Sequence, residues 1–188
     1  MRFGGCPVVD RDATADDFVA SVESGNVVGI RAQNGAENVQ VLEGGEIVFS
    51  LVERGCEAQP DSPCRLTLQR LEFRLVQLAL DLTDDTRLSV EAPVIRMALP
   101  LELTDAGSGY LLPSGNSFQT CGSIDGRLQH GLAKSSHAAQ IRFDERFEAV
   151  QVVGSFPILV HSNYEACDEL ELLLDVSLTA PLTQIPPP

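Results

Sequence analysis

From Asn26 onwards the apolar residues of this chain recur at every second position. In "ELELLLDVSL", Leu170, Leu172, Leu174, Val176 and Leu178 fall on one side. Successive side chains of a strand point to opposite faces, so this spacing lets a strand bury one face, and no helix of the same sequence could do so. "VIRMALPLEL" repeats the pattern: Ile95, Met97, Leu99, Leu101 and Leu103 point one way, Arg96 and Glu102 the other, and Pro100 moves the segment towards a sheet edge. Between such runs stand turn signals. Asn34-Gly35 separates "NVVGIRAQ" from "AENVQVLE", and Asp125-Gly126 separates "SFQTCGSI" from "RLQHGLA". These dipeptides suit the positive-φ positions of two-residue hairpin turns. About ten strands with turns every 8–12 residues predict a mainly β fold, an antiparallel β-sandwich or barrel-like sheet.

Segment 65–82, "RLTLQRLEFRLVQLALDL", tests that reading. Leu68, Leu71, Leu75, Leu78 and Leu82 have helical spacing, but Leu66, Phe73 and Leu80 fall on the opposite helical face and Glu72 falls among the leucines. As a strand the segment alternates in three phases: Leu66 and Leu68; then Leu71, Phe73 and Leu75; then Val76, Leu78, Leu80 and Leu82. Each change of phase requires a bulge or a bend, and strand is the favoured reading.

One short N-terminal helix is expected within residues 10–25. Thr14 suits its cap, Asp16 and Asp17 its first turn, and Gly25 its end, with Phe18, Val19 and Val22 on one face. The organisation predicted is an N-terminal extension or tether (1–14), a single β-rich domain (15–179) and a proline-rich tail (180–188).

Composition narrows the partners. Thirteen basic residues against 27 acidic give a formal charge of −14, with a single lysine, Lys134. Nucleic-acid binding needs clustered cations that release counterions from phosphates, so neither nucleic acid nor an anionic lipid surface is an expected partner. No apolar run approaches the roughly 20 residues of a membrane-spanning helix. With two Tyr and no Trp, a ring-stacking platform for sugar recognition is disfavoured, though one built on polar contacts is not. Twelve arginines to one lysine point to a GC-rich bacterial genome.

The five cysteines are Cys6, Cys56, Cys64, Cys121 and Cys167. No pair has the short spacing of zinc ligands or of a redox motif. Cys56 and Cys64 bracket a turn-forming loop containing Pro60, Asp61 and Pro63, which suits a disulfide worth about 2–3 kcal/mol. Elimination leaves Cys121 and Cys167 for a second bond. Disulfides imply an oxidising compartment, hence the periplasm, outer membrane or cell surface of a bacterium. Gly4-Gly5-Cys6 resembles the end of a lipobox, so Cys6 is a candidate lipidation site or a spare thiol. The residues before it are too few for a signal-peptide core, and export would need a leader outside this sequence.

Chemistry-bearing motifs are sparse. Asp10-x-Asp12-x-Thr14 resembles the phosphoryl-transfer motif of haloacid-dehalogenase-like phosphatases, but the chain lacks the βαβ alternation and lysine motifs of that family. No G-x-S-x-G is present. His161 is the candidate member of a spatially assembled hydrolase site. Asp81, Asp84 and Asp85 could offer hard oxygen ligands to calcium, the one cofactor considered. Glu57, Gln59 and Asp61 form a candidate contact loop. The functional expectation is an extracytoplasmic structural, adhesive or protein-binding domain, more an interaction module than an enzyme, whose partner is a protein or other envelope macromolecule. Its rivals are a carrier of apolar ligand in a barrel or half-open sheet, which segment 65–82 would line, and a hydrolase.

Overall fold

The computed structural model describes residues 15–32, 37–54, 65–83, 86–105, 109–124, 127–163 and 168–186. They form strands throughout, and no helix occurs among them. The chain opens with β1 (Asp16–Val22), β2 (Val27–Ala32), β3 (Glu37–Val41), β4 (Gly45–Arg54) and β5 (Arg65–Leu75). It continues through β6 (Gln77–Thr83), β7 (Thr86–Met97), β8 (Leu101–Asp105), β9 (Tyr110–Leu112) and β10 (Ser117–Ile124). It ends with β11 (Arg127–Lys134), β12 (Ala139–Phe143), β13 (Ala149–Asn163) and β14 (Asp168–Ile185).

Every strand pairing among the described residues is antiparallel, and eight strands close a barrel in the order β5-β4-β1-β14-β13-β12-β9-β8 and back to β5. Of the two layouts expected, the barrel is the one formed. Outer strands extend it because two long strands each share one edge between two partners. Leu66–Leu68 of β5 pair with β8, whereas Glu72–Arg74 pair with β7. Leu172–Val176 of β14 pair with β2, whereas Leu182–Ile185 pair with β1. One half of the molecule is therefore the barrel, and the other is flanked by β2-β3 and by β6-β7-β10-β11.

The phase changes of segment 65–82 are where the structure bends. Ser50 faces Arg70 and Leu51 faces Leu68, which leaves Gln69 unpaired as a bulge between the first and second phases. Val76 separates β5 from β6 at the second change. Opposite Val76, Ala92 takes φ +45° and donates its N–H to the Val76 carbonyl. The register of β7 against β10 shifts at the same level, between Cys121 and Ser123. Between them sits Gly122, where a Cβ would lie 2.8 Å from Val90 Cγ1. Three adjacent strands thus turn one corner together.

Two aromatic groups fill the interior. In the barrel half Phe18 stacks on Phe147 (5.5 Å), Phe147 on Phe143 (5.3 Å), and Phe143 meets Phe49 edge-on (5.5 Å). In the other half Phe156 packs on Phe73 (4.6 Å) and Phe118 (5.6 Å). Leu68, Leu71, Ile47, Ile141 and Leu174 are wholly buried around them. Phe147 takes φ +54°, an uncommon conformation for a bulky residue, in a turn held by Asp144 Oδ1, which accepts from the N–H groups of Glu148 and Ala149.

Four expectations are corrected. The N-terminal helix is a strand, β1, in which Phe18, Ala20 and Val22 face the core. The physical reason is closure: β1 pairs on both sides, with β4 and β14, and would otherwise leave two open edges. Gly25 (φ +101°) belongs to a turn and donates to the Leu42 carbonyl rather than capping a helix. The proline-rich tail does not trail off at 180, since β14 runs through Pro181 to Ile185 and seats Ala180 and Leu182 in the core. Leu99 leaves the alternation because β7 stops at Met97 and β8 starts at Leu101, so Leu99 is 72% exposed. Finally, Arg31 pairs with Glu37, not with Asn38 as a two-residue Asn34-Gly35 turn would require. The Ile124–Arg127 pair does have the register of a two-residue connection.

Where β3 passes β6, side chains stand in for a ladder. Gln40 donates to the Gln77 carbonyl (3.0 Å) and accepts from Ala79 N–H (2.8 Å), while Asn38 donates to the Ala79 carbonyl (3.1 Å). Replacing Gln40 by Ala should cost about 1–3 kcal/mol, since it strands backbone groups of β6. Phe156→Ala should cost about 3–5 kcal/mol. Urea unfolding of both variants checks the order, and equal losses would mean that the Gln40 seam carries more of the fold than its bonds imply.

Candidate functional site

Two polar constellations stand out, and both arise from outward-facing positions of strands. The first crosses β1, β4, β5, β7 and β10. The alternation of β5 puts Arg70, Glu72 and Arg74 on one face. Arg70 donates to Glu72 Oε2 through Nε (3.0 Å) and Nη2 (2.8 Å), and Arg74 Nε donates to Oε1 (2.5 Å). Arg74 Nη1 also reaches Glu46 on β4 (3.3 Å). Arg96 lies directly across from Glu72, and its Nη2 donates to Gln119 Oε1 (2.8 Å). Beyond Arg70, Ser50 Oγ donates to Asp17 Oδ1 (2.5 Å). The centre of this band is buried: Ser50, Glu72 and Arg96 are 1%, 3% and 5% exposed, among Val48, Val52 and Val94, while Arg70, Arg74 and Glu46 are partly exposed. Burial raises the Glu72 pKa, but the hydrogen bonds from Arg74 and Arg70, with their charges, outweigh it and hold the carboxyl below its ordinary value. Burial likewise lowers Arg96, opposed by Glu72. Glu72 is held between Arg70 and Arg74 and faces Arg96, which makes the centre of the band a structural pairing.

The second constellation lies half-exposed across β2, β14 and β13. Asp175 accepts from Arg31 Nε (2.5 Å) and Nη2 (2.9 Å) and from Ser155 Oγ. Its position follows from register, with Asp175 between Ser155 and Gly29. A Cβ on Gly29 would sit 3.3 Å from the Asp175 Cβ, so glycine keeps the space beside the carboxylate open. The Arg31 bond lowers the Asp175 pKa most; burial opposes it, and Ser155 and the charges of Arg31 and His137 add to the lowering. The same bond raises Arg31. Next to this group Ser135, His137 and Ser155 share a narrow cleft with Leu112, Phe118 and Phe156 that leaves no room for a water molecule. The buried Ser135 Oγ has no hydrogen-bond partner among the described residues.

Serine, histidine and acid are thus neighbours, but in the wrong order for nucleophilic catalysis. A triad needs the imidazole between the hydroxyl and the acid. Here Ser155 donates directly to Asp175, whose lowered pKa makes it a poor base, and His137 Nδ1 bonds Ser136 Oγ (2.8 Å). The arrangement orients strands and offers hydrogen-bonding groups; it does not activate a nucleophile.

Most residues singled out from sequence fall outside the described residues: Cys6, Cys56, Cys64, Cys167, Glu57, Gln59, Asp61, Asp84 and Asp85, together with Asp10, Asp12 and Thr14. Cys121 is buried on β10 and disulfide-bonded. His161 lies in β13 opposite Glu169, and Asp81 lies in β6 opposite Arg87. No group of three His, Cys, Asp or Glu able to hold a metal occurs among the described residues. The histidine that does meet serine and acid is His137, which its sequence neighbourhood did not mark. Arg31 and Asp175 are 144 residues apart, and no local signal joins them. The Arg-x-Glu-x-Arg of 70–74, by contrast, is a strand-face signal visible in the sequence. Compared with known proteins, the chain matches no family model, no curated protein and no solved structure.

Both carboxyls are depressed in the fold, so their stabilisation is complete above the unfolded carboxylate range, about pH 4, and is lost as pH falls through the folded values. Urea midpoints should be flat from about pH 7 to 5 and fall below about pH 4. Glu72→Gln should lower stability at pH 7 by about 3–5 kcal/mol and shrink that acid slope. Asp175→Asn, half-exposed, should cost about 1 kcal/mol or less. An unchanged acid slope in Glu72→Gln would assign the acid sensitivity elsewhere.

Proposed function

We propose that this protein is an extracytoplasmic structural or protein-binding module that acts through its outer surface. The observation that carries the reading is the packed interior. Phe18, Phe49, Phe143 and Phe147 occupy the barrel half, and Phe73, Phe118 and Phe156 the other, at ring distances of 4.6–5.6 Å. Carriers of apolar ligand need an open lumen of about 300 Å³ or more, and this interior is filled with side chains at contact distance. The Ser155–Asp175 bond speaks against a hydrolase. What remains for function is surface, presented on a rigid scaffold. The buried, disulfide-bonded Cys121 supports the oxidising compartment, since cytosolic thiols are kept reduced.

Two measurements test this. Thiol titration of denatured, unreduced protein purified from its native compartment should find one free thiol of the five cysteines; five would overturn the extracytoplasmic part. Titration with a fluorescent fatty acid should show no saturable one-to-one binding up to about 10 μM. Stoichiometric binding would return the carrier in place of the surface module.

A further inference from the structure

The outward side of β4, β5, β7 and β10 is buried although it turns away from the core. Val48, Ser50, Glu72, Val94, Arg96 and Cys121 stand apart from the core cluster, yet each is 5% exposed or less. Among the described residues, the strands in close contact with β4, β5 and β7 are their own neighbours in the sheet. An outward charge such as Glu72 or Arg96 is shut off from water only where further chain lies over it. Cys121 belongs to this side. Thr120 accepts from the Leu159 N–H of β13 and a Cβ on Gly122 would meet Val90, so these two point inward and Cys121 between them points out. Cys121 is disulfide-bonded, and its partner is one of Cys6, Cys56, Cys64 and Cys167.

Reach decides among the four. One ladder row joins Ser21, Glu46, Arg74, Val94 and Cys121. Cys56 lies two residues after Arg54 and Cys64 one before Arg65, where the β4-β5 pairing ends. Arg65 is about 25 Å from Arg74 along β5, and Cys121 is two strands, about 10 Å, to the side. Bonded cysteines have Cα atoms no more than about 7 Å apart, so both fall short. Cys167 precedes Asp168, which pairs with Asn163 at the end of β13. β13 passes along the inward side of β10, opposite to the Cys121 side chain. A disulfide needs Cβ atoms about 3.5–4.5 Å apart, which a sheet between the two prevents.

Cys6 stands nine residues before Ala15. Ala15 is about 20 Å from Ser21 along β1 and four strands, about 19 Å, from Cys121, a separation of about 28 Å. Nine extended residues span about 30 Å. The straight path from Ala15 to Cys121 crosses β4 at Ser50, β5 between Arg70 and Glu72, and β7 at Arg96. Ser50, Glu72 and Arg96 are the outward polar residues that are buried. We infer that Cys121 is bonded to Cys6, so that residues 7–14 cross this face as a strap over the Glu72–Arg96 band. Forming the bond removes two electrons and two protons from the two thiols. A disulfide oxidoreductase takes them up by thiol–disulfide exchange, its own disulfide ending as a dithiol. The bond occupies the Cys6 sulfur, so Cys6 carries no lipid, and Cys167 is the free thiol. This goes beyond the proposed surface role and does not depend on what that surface binds.

Trypsin separates the candidates. It places Cys6 in peptide 3–11, Cys56 and Cys64 together in 55–65, Cys121 in 97–127 and Cys167 in 147–188. Mass spectrometry of an unreduced digest, with free thiols alkylated beforehand, should find 3–11 joined to 97–127 and 147–188 alkylated. Thiol counts on denatured, unreduced variants give a second readout that needs no native fold. Cys6→Ser should release the Cys121 thiol and raise the count by one, whereas Cys167→Ser should lower it by one. A Cys121–Cys167 bond would give the reverse. The inference is overturned if 97–127 is joined to 147–188 or to 55–65, if it is unlinked, or if 3–11 carries a lipid.

Discussion

Three residues of β5 hold the architecture closed. Leu66, Thr67 and Leu68 pair with Leu101–Leu103 of β8, and without that ladder the eight strands would be an open sheet with two bare edges. The pairing is possible only because the Gln69 bulge turns β5, so that its later residues meet β7 instead. A bulge adds a residue and increases local twist. Here it divides one strand edge between two neighbours. β14 achieves the same division through length, meeting β2 first and β1 last. The barrel, the flanking strands and the filled interior all depend on these two shared edges.

Edge sharing also explains where polar groups are spent. A sheet that branches must satisfy backbone groups at the branch points, because a buried unpaired N–H or C=O costs about as much as a lost hydrogen bond. Where β12 ends beside β13, Leu159 N–H donates to Thr120 Oγ1. Where β3 passes β6, Gln40 and Asn38 take the place of a partner strand. The Arg74–Glu46 bridge likewise ties β5 to β4, and the Arg31–Asp175 bridge ties β2 to β14. These polar groups work on architecture.

That exterior is uneven. The chain carries 27 acids to 13 bases, while the row of Leu111, Gln140, Val153, Ser177, Val27 and Val41 from β9 to β3 holds no charged side chain. A closed barrel removes the edges of its own eight strands, while β3, β6 and β11 outside it each pair on one side among the described residues.

Much of the fold was legible in the sequence because the side-chain period of a strand is a local property. The alternation of β14, the strand identity of 65–75, the bulge and bend implied by its phase changes, and the two-residue register at Ile124–Arg127 are all written in neighbouring residues. Residues 16–22 misled for the same reason: Phe18, Val19 and Val22 fit a helix as well as Phe18, Ala20 and Val22 fit a strand. The choice fell to the two open edges of β4 and β14, which lie far away in the chain. Closure as a barrel rather than a sandwich was likewise decided by which strand reached β5, a matter of geometry over long separations. The candidate site was illegible for the same cause. Arg31, Ser155 and Asp175 carry no spacing that links them, and only the register of β2, β14 and β13 brings them together. Local periodicity determined which residues form strands; the pairing of distant edges determined everything those strands build.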